Sequence, residues 1–416
     1  MKIKDVIATP GLTGYYFDDL EAIRHGGAKL DGFIYVGDPV TEGHTRIRQK
    51  GESISIMLVM ENGEIAFGDG CSIQYSNVVG RDPLFLAEKY IPVINSEIKP
   101  FLVGKEISTF KDMAEAIESL EYRGAKLHTG IRYGVTQAIL EAVSKMRKIT
   151  MAEVIAEEYG TKISDHLIPV LAQSGDDRYV GADKMILKSV PVIPQGLFNN
   201  IKKIGAKGEI LMEYAAWLRD RIKKHGMSGY HPRFHLDVYG TIGYIFNNDP
   251  EKVSDYLGQL EQTCRPFPVT VECPIDLPDK NDLITQMKSL KNALEEKSIN
   301  VWICADDWCN TFEDIKDFVD ARAAHMIQVK APDLGGLNRT VEAALYCKQN
   351  GVKAFIGGTC NGTDKSSRVT VQIALAVRAD LIYNKPGMAV DEGYMIVHNE
   401  MQRTLALLNR KRSTAV

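Results

Sequence analysis

The chain has 416 residues, 44% of them hydrophobic and 25% charged, with a formal net charge of −4. That length suits about two domains with sizeable cores, and the charge balance offers no basic field for nucleic acid and no polybasic patch for a membrane. The seven cysteines form no CxxC pair, the N-terminal MKIKDVIATPGLTG carries no apolar signal run, and no stretch of about eighteen apolar residues occurs, so a cytoplasmic protein with reduced thiols is expected.

The first 160 residues read as an α+β domain. Ser53–Glu61 is β-branched and apolar, Asn62-Gly63 follows, and Glu64–Phe67 resumes the apolar run. An Asn-Gly step between two such runs predicts a hairpin with a type I′ turn. Asp82-Pro83 predicts a helix start, with Asp as cap and Pro at the first helical position. Further helical patterns cover Lys111–Tyr122 and Arg132–Arg147.

From residue 161 to 416 short apolar strands alternate with amphipathic helices. The strand candidates are His166–Gln173, Met185–Ile193, Phe234–Tyr239, Val269–Glu272, Val301–Asp306, Met326–Lys330, Lys353–Gly357 and Leu381–Lys385. Helical patterns at Glu251–Thr263, Asp282–Glu296, Thr311–Ala321, Asn338–Gln349 and Ser366–Ala376 separate the later ones. Eight such units over this length predict a (β/α)8 TIM-type barrel. An open doubly wound sheet is disfavoured, because neither GxGxxG nor GxxxxGK is present.

The third, fourth and fifth strand candidates end near Asp237, Glu272 and Asp306, about one β-α unit apart. Period-two alternation sends Leu236, Val269, Val271, Ile303 and Ala305 toward the helices and the three acids inward. Three inward carboxylates cannot all stay charged without a cation. With oxygen ligands only, Mg²⁺ is the first choice and Mn²⁺ the second. The plainer alternative, each acid capping its own loop, would not place all three at matched strand ends. On the sixth strand Gln328 and Lys330 share the inward face. Burial near a dication is expected to lower the Lys330 pKa toward that of a general base, and pairing with an acid is the competing structural role. Acids and lysine together suit removal of a proton next to a carboxylate, a combination known from enolase-type sites.

Other features have plainer readings. Gly357-Gly358-Thr359 would let backbone approach a ligand, with a phosphate cradle as the lesser alternative. His225, His231 and His235 lack a zinc pattern and read as surface and core residues. Cys360 has no adjacent histidine to activate it as a nucleophile.

The order of motifs resembles the methylaspartate ammonia-lyase family of the enolase superfamily. The matching stretches are QSGDDR from Gln173, HLDVYGTIG from His235, ADDWCNT from Ala305, QVKAPDLGG from Gln328, GGTCN from Gly357 and KPGMAVDEG from Lys385. TPGLTGYYFDD from Thr9, VTEGHTRIRQKGESIS from Val40 and GRDPLFLA from Gly80 extend the match over the whole chain. The resemblance implies an enolase-like α+β cap before the barrel, and reversible elimination of ammonia from L-threo-3-methylaspartate to give mesaconate. It implies a cytoplasmic homodimer acting on a small amino-dicarboxylate, with Mg²⁺ and an accessory monovalent cation. Carried over, Asp237, Glu272 and Asp306 bind the metal and Lys330 takes the carbon 3 proton. Gln328 holds the metal-bound carboxylate, Gln173, Thr359 and the Cys360 backbone hold the other, and Gln74 positions the amino group.

The chain departs from the pattern after strand two. Gln195 stands where the family places a histidine, leaving a hydrogen-bond donor that cannot work as an acid or base. Phe355 and Tyr383, expected near the mouth, differ from the family's tyrosine and smaller apolar residue. The alternative activity is that of another enolase-type epimerase or dehydratase. A second inward lysine on strand two would favour it, and only Lys188 is there.

Overall fold

The computed structural model describes residues 1–78 and 80–414. Strand Ile3–Asp18 pairs antiparallel with Arg48–Met60, which pairs with Ile65–Gly70. The β-branched run of the middle strand favours this half-buried pleated setting. The expected hairpin is present, but its turn differs. Only Gly63 is left-handed (φ 85°), and its N–H donates to the Met60 carbonyl at 2.9 Å. One left-handed glycine closes a longer loop, whereas type I′ needs two positive-φ residues. Helix Thr129–Arg147 lies on this sheet. Glycine makes that approach possible: a Cβ on Gly68 would sit 2.1 Å from the Gly134 carbonyl oxygen.

One helix expectation fails in this region and another is cut short, while the Arg132–Arg147 pattern lies within helix Thr129–Arg147. No helix starts at Asp82-Pro83; the helix runs Ala87–Val93. Asp82 instead accepts the Thr129 backbone N–H at 2.6 Å, so it caps a distant helix. The Lys111–Tyr122 pattern yields a helix only over Phe110–Glu118. Glu121–Tyr122 pairs with Ala125–Lys126 across Arg123 and Gly124, both at positive φ (54° and 79°).

Eight parallel strands close a barrel: Val170–Leu171, Val192–Gln195, Arg233–Asp237, Val269–Glu272, Val301–Ala305, Met326–Lys330, Lys353–Gly357 and Leu381–Tyr383. The second is shifted from its expected place, because Met185–Leu187 close helix Arg178–Leu187. Periodicity cannot separate a buried helix end from a strand in so short an apolar run. The alternation holds elsewhere. Leu236, Val269, Val271, Ile303 and Ala305 pack with the helices, while Leu171, Cys304, Met326, Phe355, Leu381 and Tyr383 fill the interior.

The first region lies against the C-terminal end of the barrel. Gly14 N–H donates to the Gly362 carbonyl at 2.9 Å, and Asn361 Nδ2 donates to the Tyr16 carbonyl at 3.0 Å. Glu118 forms a buried clamp: its carboxylate pairs with Arg132 Nη1 at 2.6 Å and accepts the Gly336 N–H at 2.6 Å. Glu118→Ala leaves Arg132 buried without its counter-ion and the Gly336 N–H unpaired. The expected loss is about 3–5 kcal/mol in urea unfolding, with part of it recovered in Glu118→Gln. An unchanged midpoint for Glu118→Ala would show that the clamp contributes nothing.

Candidate active site

Asp237 and Glu272 are the last residues of the third and fourth strands and are paired in register. Asp306 follows the fifth strand directly and continues the inward alternation of Cys304. A neutral donor or a lysine holds each acid. Gln195 Nε2 donates to Asp237 Oδ2 at 2.8 Å, and Gln328 Nε2 donates to Glu272 Oε1. His235 Nε2 lies 2.6 Å from Glu272 Oε2. Burial lowers the imidazole to about 3, so the ring is neutral, and against an ionised Glu272 the tautomer with Nε2–H donates. His235 is thus the core residue the sequence suggested, with an orienting contact it did not. Lys330 Nζ stands 2.7 Å from Asp306 Oδ1.

Burial raises the pKa of all three acids; for Asp237 and Glu272 repulsion between the carboxylates adds to it. Three buried carboxylates that disfavour their own charge are a fitting oxygen donor set for Mg²⁺. Among the described residues the group of three ligand-type atoms lying within 4.8 Å of one another is a different one, His235, Glu272 and Cys304. Its Cys304 thiol is held far above its usual range by burial, which leaves it a poor ligand.

Lys330 departs from expectation. Burial works against its charge, but Asp306 and, behind it, Asp307 and Asp333 together outweigh burial and keep the ammonium above its ordinary range. The expected lowering therefore does not hold while Asp306 is a free carboxylate. Arg81 sits behind this pair, donating to Asp333 at 3.0 Å and to Asp307 at 2.9 Å.

Asp237, Asp306, Lys330 and Arg81 share one cavity of about 200 Å³, which is also lined by Gln74, Gln173, Gln195, Gln328, Thr359 and Cys360, while Glu272 is outside this lining, bonded to Gln328 and His235. Gln74 is fixed through Asp18 (Nε2 to Oδ2, 2.6 Å), which pairs with Arg48. The Cys360 thiol is raised by burial and contacts Gln74 Oε1 at 3.7 Å, so it is not an activated nucleophile. Gly357 has no room for a side chain, because a Cβ would lie 2.7 Å from Gln328 Oε1. That explains this glycine by close packing, without a phosphate. Phe355 does not reach the cavity; it packs one layer below, against His235 and Tyr383. Tyr383 does line it. Lys188 is outside, paired with Asp391 at 2.7 Å.

Lys385, Arg81, Tyr75 and Tyr239 also line the cavity, beyond the residues expected from the sequence. Lys385 was within reach: alternation in Leu381–Lys385 puts it on the face of Tyr383. The other three depend on how loops and cap meet, which local periodicity does not encode.

Two family models match the chain: the methylaspartate ammonia-lyase N-terminus over residues 1–160 and its C-terminus over residues 162–410. The methylaspartate ammonia-lyase of Clostridium tetanomorphum is 52% identical over 414 residues, 99% of this chain and 100% of the relative. That of Haloarcula marismortui is 45% identical over 411 residues, 98% of this chain and 97% of the relative. The crystal structure of the C. tetanomorphum β-methylaspartase Mg complex superposes with a TM-score of 0.96, covering 99% of this chain and 100% of that one. The Citrobacter amalonaticus enzyme containing (2S,3S)-3-methylaspartic acid gives 0.97 at 48% identity, covering 98% and 100%. The L-Ala-D/L-Glu epimerase of Bacillus subtilis, at 15% identity and a TM-score of 0.65, shares the fold.

A carboxyl whose folded pKa is raised costs stability on ionisation. The cost is absent below the unfolded values of 3.8 and 4.5 and complete above the folded ones. The metal-free protein is therefore expected to lose stability with rising pH. Mg²⁺ should then raise the melting temperature more at about pH 8 than at about pH 5.5. Equal Mg²⁺ stabilisation at both pH values would contradict this electrostatic picture.

Proposed function

This chain belongs to the methylaspartate ammonia-lyase family and is a carbon–nitrogen lyase, and from that premise we propose how its own residues remove ammonia from L-threo-3-methylaspartate to give mesaconate. The carrying observation is one cavity that joins Asp237 and Asp306 to Lys330, with Glu272 beside Asp237 at the neighbouring strand end. Asp237, Glu272 and Asp306 would hold Mg²⁺, with Mn²⁺ as a substitute. When bound, the metal would supply the positive charge that stabilises a substrate carboxylate as the neighbouring carbon loses its proton, and Asp306, engaged in holding it, would no longer be a free counter-ion to Lys330.

Neutral Lys330 takes the proton from carbon 3. The electron pair of that C–H bond becomes the carbon 2–carbon 3 double bond, and ammonia leaves carbon 2 with the C–N electrons. Gln328, already donating to Glu272, orients the carboxylate nearest the acids. Gln173, Thr359 and the Cys360 backbone hold the other carboxylate, and Gln74 positions the amino group from the cap. Gln195 spends its N–H on Asp237, and its buried carbonyl oxygen has no partner. It offers the substrate an acceptor where the family has a histidine, and no proton exchange between pH 5 and 8.

We divide the chain into a cap to residue 160 and a barrel from 161, and place the enzyme in the cytoplasm as a homodimer, with a monovalent cation as accessory. The seven free cysteines suit a reducing compartment, and no described helix is long and apolar enough to cross a membrane. The dimer and the accessory ion rest on the family alone.

The test follows absorbance of the conjugated diacid from 3-methylaspartate with Mg²⁺, comparing wild type with Lys330→Ala. Loss of a general base is expected to lower kcat by about 10²–10⁴-fold without loss of metal binding. Equal rates would remove Lys330 from the role. No product from metal-loaded wild type would contradict the substrate assignment.

A further inference from the structure

Lys385 follows the eighth barrel strand and turns into the cavity that holds Lys330. It is only 8% exposed. Its Nζ donates to Gln173 Oε1 at 2.8 Å and stands 3.9 Å from the Tyr383 ring centroid. Among the described residues no carboxylate pairs with it. The neighbouring buried cations are paired: Lys330 with Asp306, Arg81 with Asp333 and Asp307. A buried ammonium without a counter-ion is unfavourable in the free protein. Burial accordingly lowers its pKa to about 8.

The lysine stem lies along the loop that carries Thr359 and Cys360, since a Cβ on Gly358 would touch Lys385 Cγ at 3.2 Å. Gln173, on its other side, donates its amide to the Gly387 carbonyl and reaches Met388 Sδ at 3.4 Å. Gln173 thus bridges this loop and Lys385 at the wall where it is proposed to hold a carboxylate. An ammonium has three donors, and only one is used by Gln173.

We propose that Lys385 is the cation that receives the substrate carboxylate left free by the metal, with Gln173 as the residue that positions it. The cavity then has two unbalanced walls, the Asp237 and Asp306 side that needs a dication and one ammonium that needs an anion. An amino-dicarboxylate spans both. This rests on the lyase reading only in taking the ligand to be a dicarboxylate.

The test measures binding of mesaconate, and of crotonate, which keeps one carboxylate, to the Mg²⁺-loaded full chain by calorimetry. Wild type is compared with Lys385→Met and Lys385→Gln. Mesaconate binding is expected to weaken about tenfold to hundredfold in both variants, and crotonate binding to change less than about threefold. The metal-free Lys385→Met protein is expected to melt no lower than wild type, because it loses an unpaired buried charge; a purely structural lysine would lower it. Unchanged mesaconate binding, equal loss of both ligands, or a lower melting temperature in Lys385→Met overturns the proposal. Wild type that binds neither carboxylate overturns the dicarboxylate reading, and the Lys385 assignment falls with it.

Discussion

Three carboxylates buried together at one end of a barrel cannot all carry charge unless something positive joins them. Much of the local design follows from that constraint. Glu272 takes one hydrogen bond from Gln328 and one from neutral His235, so both oxygens are aimed before any ligand arrives. Asp237 is aimed by Gln195. Asp306 has no such amide and leans on Lys330 instead. The ion pair answers the excess negative charge, and it also keeps Lys330 protonated. The site as it stands is poised for a cation, and the base proposed at Lys330 would be freed of its counter-ion once Asp306 held one.

The barrel supplies the precision and the cap supplies closure. Strand ends place the acids and Lys330 on rigid elements, where alternation decides which side chains face inward. The cap reaches over them with Gln74, Tyr75 and Arg81. Its anchors to the barrel are polar and specific. Asn361, in the loop of Thr359 and Cys360, is bonded to the Tyr16 carbonyl and the Thr13 hydroxyl. The loop proposed to hold a substrate carboxylate is therefore built partly by the cap.

Much of this was legible in the sequence because it rests on short-range periodicity. Asp237, Glu272, Asp306, Gln328 and Lys330 all follow from strand alternation plus the rule that barrel sites lie at strand C-termini. Thr311 was recognisable as a helix cap, and its capping box with Asp314 is present. The failures share one cause, competition from distant partners. Asp82 caps Thr129 instead of its own segment. Met185–Leu187 looks like strand because a buried helix end and a buried strand are equally apolar. The charge state of Lys330 depends on a 2.7 Å contact between two different strands, which no local pattern contains. Phe355 was assigned the right face but the wrong layer.

The central claim is that this cavity joins carbon–nitrogen bond chemistry to proton exchange at the neighbouring carbon. The most direct measurement runs the reaction backwards. Mesaconate and ammonium are incubated with the Mg²⁺-loaded protein in D2O, and the product is identified by proton NMR. The account predicts L-threo-3-methylaspartate carrying one deuterium at carbon 3, formed only when the metal is present. Mesaconate that remains unchanged beside metal-loaded protein would contradict it.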